Sequence, residues 1–208
     1  MKIGIIGSGH VGAALTRRLQ ALGHRVTVAN SRGPQSLAQL TEETGASAGT
    51  VPEAAADAEL VIIATPTRAV PALPAEALRG RIVVDANNYY PRRDGDIEPI
   101  STKSVTSSRW TANVLPGATV IKAFNTIVAQ HLIDLGRPAG DPDRIALPVA
   151  GDDADAKRLV MSLVDELGFD PIDAGGLDDS WRQQPDTPVY VADLTAERVR
   201  EGLRGAQR

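Results

Sequence analysis

The stretch IGIIGSGHVGAALTRRL, Ile3–Leu19, decides the fold. A short apolar run rich in isoleucine ends at Gly7, and a helical pattern begins just past Gly9. Glycines at 7, 9 and 12 fit G-x-G-x-x-G, a weak pattern alone but a mechanical one between a strand and a helix. Gly7 allows the tight turn, Gly9 lets the backbone approach a pyrophosphate, and Gly12 lets helix and strand pack closely. Ser8, His10 and Val11 complete the loop, whose helix N-terminus offers free N–H groups and a positive dipole end to phosphates. His10 faces either the pyrophosphate or solvent. Val11, Leu15, Leu19 and Leu22 form one stripe of the helix, which Gly23 ends.

Four more runs resemble the first: RVTVAN (Arg25–Asn30), ELVIIAT (Glu59–Thr65), RIVVDA (Arg81–Ala86) and TVIKAF (Thr119–Phe124). Short Val- and Ile-rich runs without clean alternation suit parallel strands buried on both faces. Strand and helix in alternation predict an α/β protein with a Rossmann-type, doubly wound parallel sheet and right-handed crossovers. Beyond GRPAGDPDR (Gly136–Arg144), read as a connector, IALPVAG, a helical pattern over Asp153–Leu167 and FDPIDAGG predict a small C-terminal α/β lobe. The expected division is a nucleotide-binding domain over 1–128 and a small lobe over 129–208. Val189–Arg208 reads as a helical tail. Asn88–Thr102 is polar, turn-rich and too long for an ordinary connection, so a functional loop is expected there.

Composition narrows the function. With 42% hydrophobic and 23% charged residues, the chain is an ordinary globular one rather than a disordered one. A net charge of −4 and 3% aromatic content leave neither a basic footprint nor a stacking platform for nucleic acid. There is no cysteine, and His10, His24 and His131 lack metal-ligand spacing, so no metal site is expected. MKIGIIGSG lacks the features of a signal peptide and no window reaches membrane-spanning length, so a cytoplasmic protein is expected. No Ser-His-Asp constellation stands out, and no tyrosine is followed by lysine four residues later.

The second strand carries the cofactor signal. An acid at its end would bond the ribose 2′-OH of NAD and repel a 2′-phosphate. Here Asn30, Ser31 and Arg32 stand at that place. An amide and a hydroxyl donate to phosphate oxygens and a guanidinium grips them in pairs, so the expected cofactor is NADP(H). Ligands of open α/β sheets bind at the carboxyl ends of the strands, which adds Thr65, Pro66, Asn87 and Asn125. Thr65 and Pro66 would border the nicotinamide ribose; Asn87 could bond that ribose or the carboxamide. Backbone N–H groups, Asn87 and Asn125 are the candidates for stabilising charge on the acceptor, without a choice among them. Lys122, inside an apolar strand, either senses cofactor or substrate or snorkels at a sheet edge, the second being favoured.

With these residues named, the chain resembles the NADP oxidoreductases that depend on coenzyme F420. The matching stretches are MKIGIIGSGHVGAALTRRL, VTVANSRG, DANNYYP, LPGATVIKAFNT and, near the carboxyl end, SWRQQPDTPVY. The resemblance implies reversible hydride transfer between NADP(H) and a 5-deazaflavin, F420 serving as co-substrate. It also implies a C-terminal lobe that shapes the second pocket and a homodimer. Ser31 and Arg32 fall on the family's 2′-phosphate positions, and the glycine loop on its pyrophosphate cradle. Two other readings stay open: the same cofactor with another small acceptor (imine, ketone, flavin or ferric chelate), and a non-catalytic NADP(H) sensor.

Overall fold

A computed structural model describes residues 1–208. Eight strands form one sheet: β1 (Lys2–Ile6), β2 (Arg25–Ala29), β3 (Ser47–Ala48), β4 (Leu60–Ile63), β5 (Ile82–Asp85), β6 (Thr119–Lys122), β7 (Ala146–Gly151) and β8 (Asp170–Asp173). Their order is β3-β2-β1-β4-β5-β6-β7-β8. The first six in chain order are parallel to one another, and β7 pairs antiparallel to β6, Ile121 opposite Gly151. The order reverses between β1 and β4, the crevice where this architecture takes its ligands. Ten helices cover the faces: α1 (His10–Ala21), α2 (Ala38–Thr44), α3 (Val51–Ala56), α4 (Ala75–Leu78), α5 (Pro91–Asp94), α6 (Glu98–Ser101), α7 (Ser107–Val114), α8 (Ala129–Asp134), α9 (Ala154–Glu166) and α10 (Ala196–Gly205).

Side chains alternate across the sheet, and both sides are dry. Ile3, Ile5, Val26, Val28, Leu60, Ile62, Val84 and Ile121 enter one cluster with Leu15 and Leu19 of α1 and Leu163 of α9. Ile6, Val61, Ile63, Val83 and Val120 enter a second with Leu78 and Leu115. The continuous apolar runs therefore mark strands buried from both sides, as expected. Leu22 departs from the stripe assigned to it. It lies beyond the last turn of α1 and is 37% exposed, while Gly12, Ala14 and Thr16 join Leu15 and Leu19 on the buried face.

The C-terminal β-α-β unit forms as expected, β7 and β8 running parallel around α9. Because β7 pairs with β6, this unit extends the sheet, and Leu147, Val149 and Phe169 share the cluster of Ile3 and Leu15. The 136–144 connector is pinned by Arg144, which is 4% exposed and bonds Asp165 and Asp170 at 2.7 and 2.9 Å. The helical tail is shorter than expected: helix begins only at Ala196, and 185–193 instead forms a strap of turns. No helix is long and apolar enough to cross a membrane.

A shared core makes a cooperative unfolding prediction. Phe169→Ala, at a side chain with 0% exposure, should lower stability by about 3–5 kcal/mol in urea titration. The expected result is one earlier transition in which near- and far-ultraviolet dichroism coincide. Two separated transitions would show that the C-terminal segment folds on its own.

Candidate dinucleotide and acceptor site

The glycine loop is tight for a steric reason. Gly7 has φ +113°, and a Cβ there would sit 2.2 Å from the Ala64 carbonyl oxygen of the neighbouring strand end. A Cβ on Gly12 would sit 1.9 Å from the carbonyl oxygen of Gly7, so only glycine lets α1 start so close to β1. Gly9 is the N-cap of α1 and offers no side-chain cap, which leaves the N–H groups of the first turn unpaired toward the crevice. Ser8, His10 and Val11 line that crevice.

At the end of β2, Asn30 acts on the loop itself. Its Nδ2 donates to the hydroxyls of Ser8 and Ser36, each at 2.9 Å, and its Oδ1 accepts from the Arg32 N–H at 2.9 Å. The amide thus braces the glycine loop against the following turn. Ser31 and Arg32 stand exposed on that turn, and Arg32 makes no ion pair. Arg17 is held bidentately by Glu43 at 2.5 and 2.8 Å, and this pairing holds the Glu43 carboxyl below its ordinary range. Arg32, Ser36, Ser8 and Arg17 line one pocket of about 190 Å³. Ser36 was not singled out in the sequence; its place one turn into the following 3-10 helix (Pro34–Leu37) is the signal that could have found it.

Ser8, Ala13 and Arg17 also border a larger cleft of about 850 Å³ on the other side of the loop. Ala86 and Asn88 after β5, Phe124 and Asn125 after β6, Ile127–Gln130 and Ile133 around α8, and Tyr90 and Tyr190 line it. Tyr90 and Tyr190 touch through their hydroxyls, and Arg93 lies 4.8 Å from the Tyr90 ring centroid. Burial, with help from Tyr90, pushes the Tyr190 hydroxyl well above the usual tyrosine range. Two backbones are strained here: Phe124 at φ +61° and Val191 at φ +51°, the latter β-branched. Val191 donates to the Thr126 carbonyl at 3.0 Å, tying the 185–193 strap to the end of β6.

The 88–102 loop is ordered by α5, α6 and Asp94. Burial opposes ionisation of Asp94, yet Arg93, with the N–H groups of Tyr90 and Arg68, holds its carboxyl below the ordinary range. The loop thereby carries Tyr90 to the cleft.

The candidate asparagines differ. Asn125 donates to the Gln183 carbonyl at 2.6 Å and to Asn88 at 3.1 Å, and accepts from Gln183 Nε2 at 2.9 Å. Its amide is spent joining AFNT to the SWRQQ segment. Asn87 is 4% exposed, accepts from the Thr65 N–H at 2.8 Å and keeps a buried Nδ2 without a partner. Thr65 Oγ1 is likewise buried and unpaired, while the Thr65 methyl packs toward Gly7; Pro66 follows as an exposed residue opening a 3-10 turn. Lys122 corrects its expectation. The sheet edge is not there, since β6 lies between β5 and β7, and the side chain has 0% exposure. Its ammonium meets Asp85 at 3.5 Å.

A family profile described as NADP oxidoreductase, coenzyme F420-dependent, matches residues 2–89. A solved structure of the hypothetical protein SMa0349 from Sinorhizobium meliloti is similar at 33% identity and TM-score 0.80, over 94% of this chain and 95% of that one. A solved structure from Arthrobacter sp. FB24, provisionally named an F420-dependent NADP-reductase, is similar at 33% identity and TM-score 0.72, over 85% and 86%. The metalloreductase STEAP3 of Rattus norvegicus is 32% identical over 185 residues, 85% of this chain and 34% of that protein. The chain spans less than half the length of the curated relatives it matches.

Asn30→Asp tests the end of β2. A carboxylate 4–5 Å from a 2′-phosphate repels it by about 1–2 kcal/mol in a water-like dielectric. The ratio of NADPH to NADH affinity, measured by fluorescence titration, should fall about tenfold; an unchanged ratio would place the 2′-phosphate elsewhere.

Proposed function

The chain belongs to the coenzyme F420-dependent NADP oxidoreductases, and on that premise we propose that it transfers a hydride between NADP(H) and a deazaflavin-type acceptor. One observation carries the cofactor reading: an unpaired arginine, Arg32, stands with Ser31 and Ser36 at a strand end that has no acid. Bare N–H groups and two close-packed glycines fit a pyrophosphate, and the orphaned Asn87 Nδ2 and Thr65 Oγ1 fit the polar nicotinamide half.

In this reading the N–H groups of His10, Val11 and Gly12 hold the pyrophosphate, and Ser31, Arg32 and Ser36 hold the 2′-phosphate. Thr65, Pro66 and Asn87 orient the nicotinamide end. Bound NADPH supplies the hydride from nicotinamide C4. Tyr90, Tyr190, Ile127 and Val191 form a largely apolar wall that excludes water and holds a flat acceptor. Residues 1–128 carry the cofactor, while α8 and the 185–193 strap of the C-terminal segment close the acceptor side. The cleft of about 850 Å³ and its paired tyrosines support a flat aromatic acceptor such as a deazaflavin.

The likeness to a metalloreductase over 185 residues supports a second reading, in which the same cofactor site serves a flavin or ferric chelate. Stopped-flow mixing with NADPH separates the two. Loss of the deazaflavin absorbance band on F420 addition is the expected outcome; NADPH oxidation with flavin or ferric chelate alone would favour the second. Arg32→Ala should weaken NADPH by about 1.5–3 kcal/mol, the scale of a charged hydrogen bond, and leave NADH almost unchanged in calorimetric titration. Equal losses for both nucleotides would remove Arg32 from the 2′-phosphate.

A further inference from the structure

Asp85 and Lys122 are 1% and 0% exposed, and both grip the peptide of Asn87. Asp85 Oδ1 accepts the Asn87 N–H at 3.1 Å, while Lys122 Nζ donates to the Asn87 carbonyl oxygen. The other carboxylate oxygen accepts from Ser108 of α7 at 2.7 Å, so the pair is tied to the helix layer as well as across two strands. Burial lowers the affinity of Lys122 for its proton, opposed by the charge of Asp85.

Such a pair is poorly explained by stability. Desolvating two charges costs several kcal/mol per ion, and well-packed apolar replacements of both are often neutral or stabilising. What the pair does achieve is local. A backbone held at both N–H and C=O restrains the Asn87 Cα, from which the side chain places Oδ1 on the Thr65 N–H and leaves a buried Nδ2 unsatisfied.

We propose that Lys122 and Asp85 are positioning residues, a buried ionic clamp that presents the Asn87 amide and the Thr65 segment to the nicotinamide half of the cofactor. The clamp rests on the cofactor reading above, and it acts on one half of that cofactor. The adenosine half binds on the other side of β1, through Arg32, Ser31 and Ser36.

The test uses the full chain carrying Asp85→Asn with Lys122→Met, which removes both charges together. Lys122→Met alone leaves a buried unpaired carboxylate and is expected to unfold readily. Affinities are measured for NADPH, NADH and 2′,5′-ADP, alongside a thermal melt. The expected result is a folded protein with 2′,5′-ADP affinity within twofold of the wild type, and NADPH and NADH both weakened about tenfold, the size of one lost hydrogen bond to the cofactor. Asn87→Ala should weaken both dinucleotides similarly, and adding it to the double variant should cost little more, because both changes remove one interaction. Wild-type affinity for NADPH in the double variant overturns the clamp alone, as does an equal loss for all three ligands. If the wild type binds neither NADPH nor 2′,5′-ADP, the cofactor reading falls and takes the clamp with it.

Discussion

No side chain fits where α1 begins against β1. The Gly12 α-carbon and the Gly7 carbonyl are so close that one added carbon would lie within bonding-like distance of an oxygen. That contact fixes the start of α1 at the crevice between β1 and β4, and points its free N–H groups there. Once the helix start is fixed, the strand ends on either side become two half-sites. The end of β2 lies to one side, and the ends of β4, β5 and β6 to the other.

The two halves are built differently. Beside β2, groups close in sequence come together: Asn30, Arg32 and Ser36 span seven positions of chain, with Ser8 reached across one strand pair. Ser31, Arg32 and Ser36 are all exposed there. Beyond β4 the groups are buried and brought together from far apart in sequence. Asn87 meets Thr65 and Lys122, and Asn125 meets Gln183. Positive-φ backbone at Phe124 and Val191 costs of order 1–3 kcal/mol each, and persists because the surrounding bonds over-determine it. The AFNT and SWRQQ stretches, remote in sequence, converge on the strained turn after β6.

Local patterns were legible from sequence, and contacts at long range were not. The glycine loop, five parallel strands and the β-α-β unit near the end follow from apolar runs and glycine placement, because those signals lie within ten or so residues. The absence of an acid at Asn30 was equally plain, though not the bracing role of its amide, which needs Ser8 and Ser36 in view. Lys122 misled because a cation in an apolar strand has two resolutions, an edge or a buried partner. Choosing between them requires knowing that β7 covers β6, which is a fact of topology. The tail from Val189 reads as helix by composition, yet positive φ at Val191 and Asp193 delays the helix to Ala196.

Neighbouring strand ends also show why charge is used once and not twice. After β6, Asn125 is fixed by neutral amides alone: Gln183 and Asn88 take both Nδ2 hydrogens and Gln183 donates to Oδ1. After β5, Asn87 keeps its Nδ2 unpaired, and the contacts of Asp85 and Lys122 fall on its backbone. A backbone N–H wants an acceptor and a C=O wants a donor, and in a dry interior the strongest such pair is an anion and a cation. Placing Asp85 and Lys122 opposite each other on paired strands supplies both and lets each neutralise the other. An ion pair at this position therefore holds the Asn87 backbone at both N–H and C=O, while the side-chain Oδ1 bonds Thr65 and Nδ2 stays unpaired.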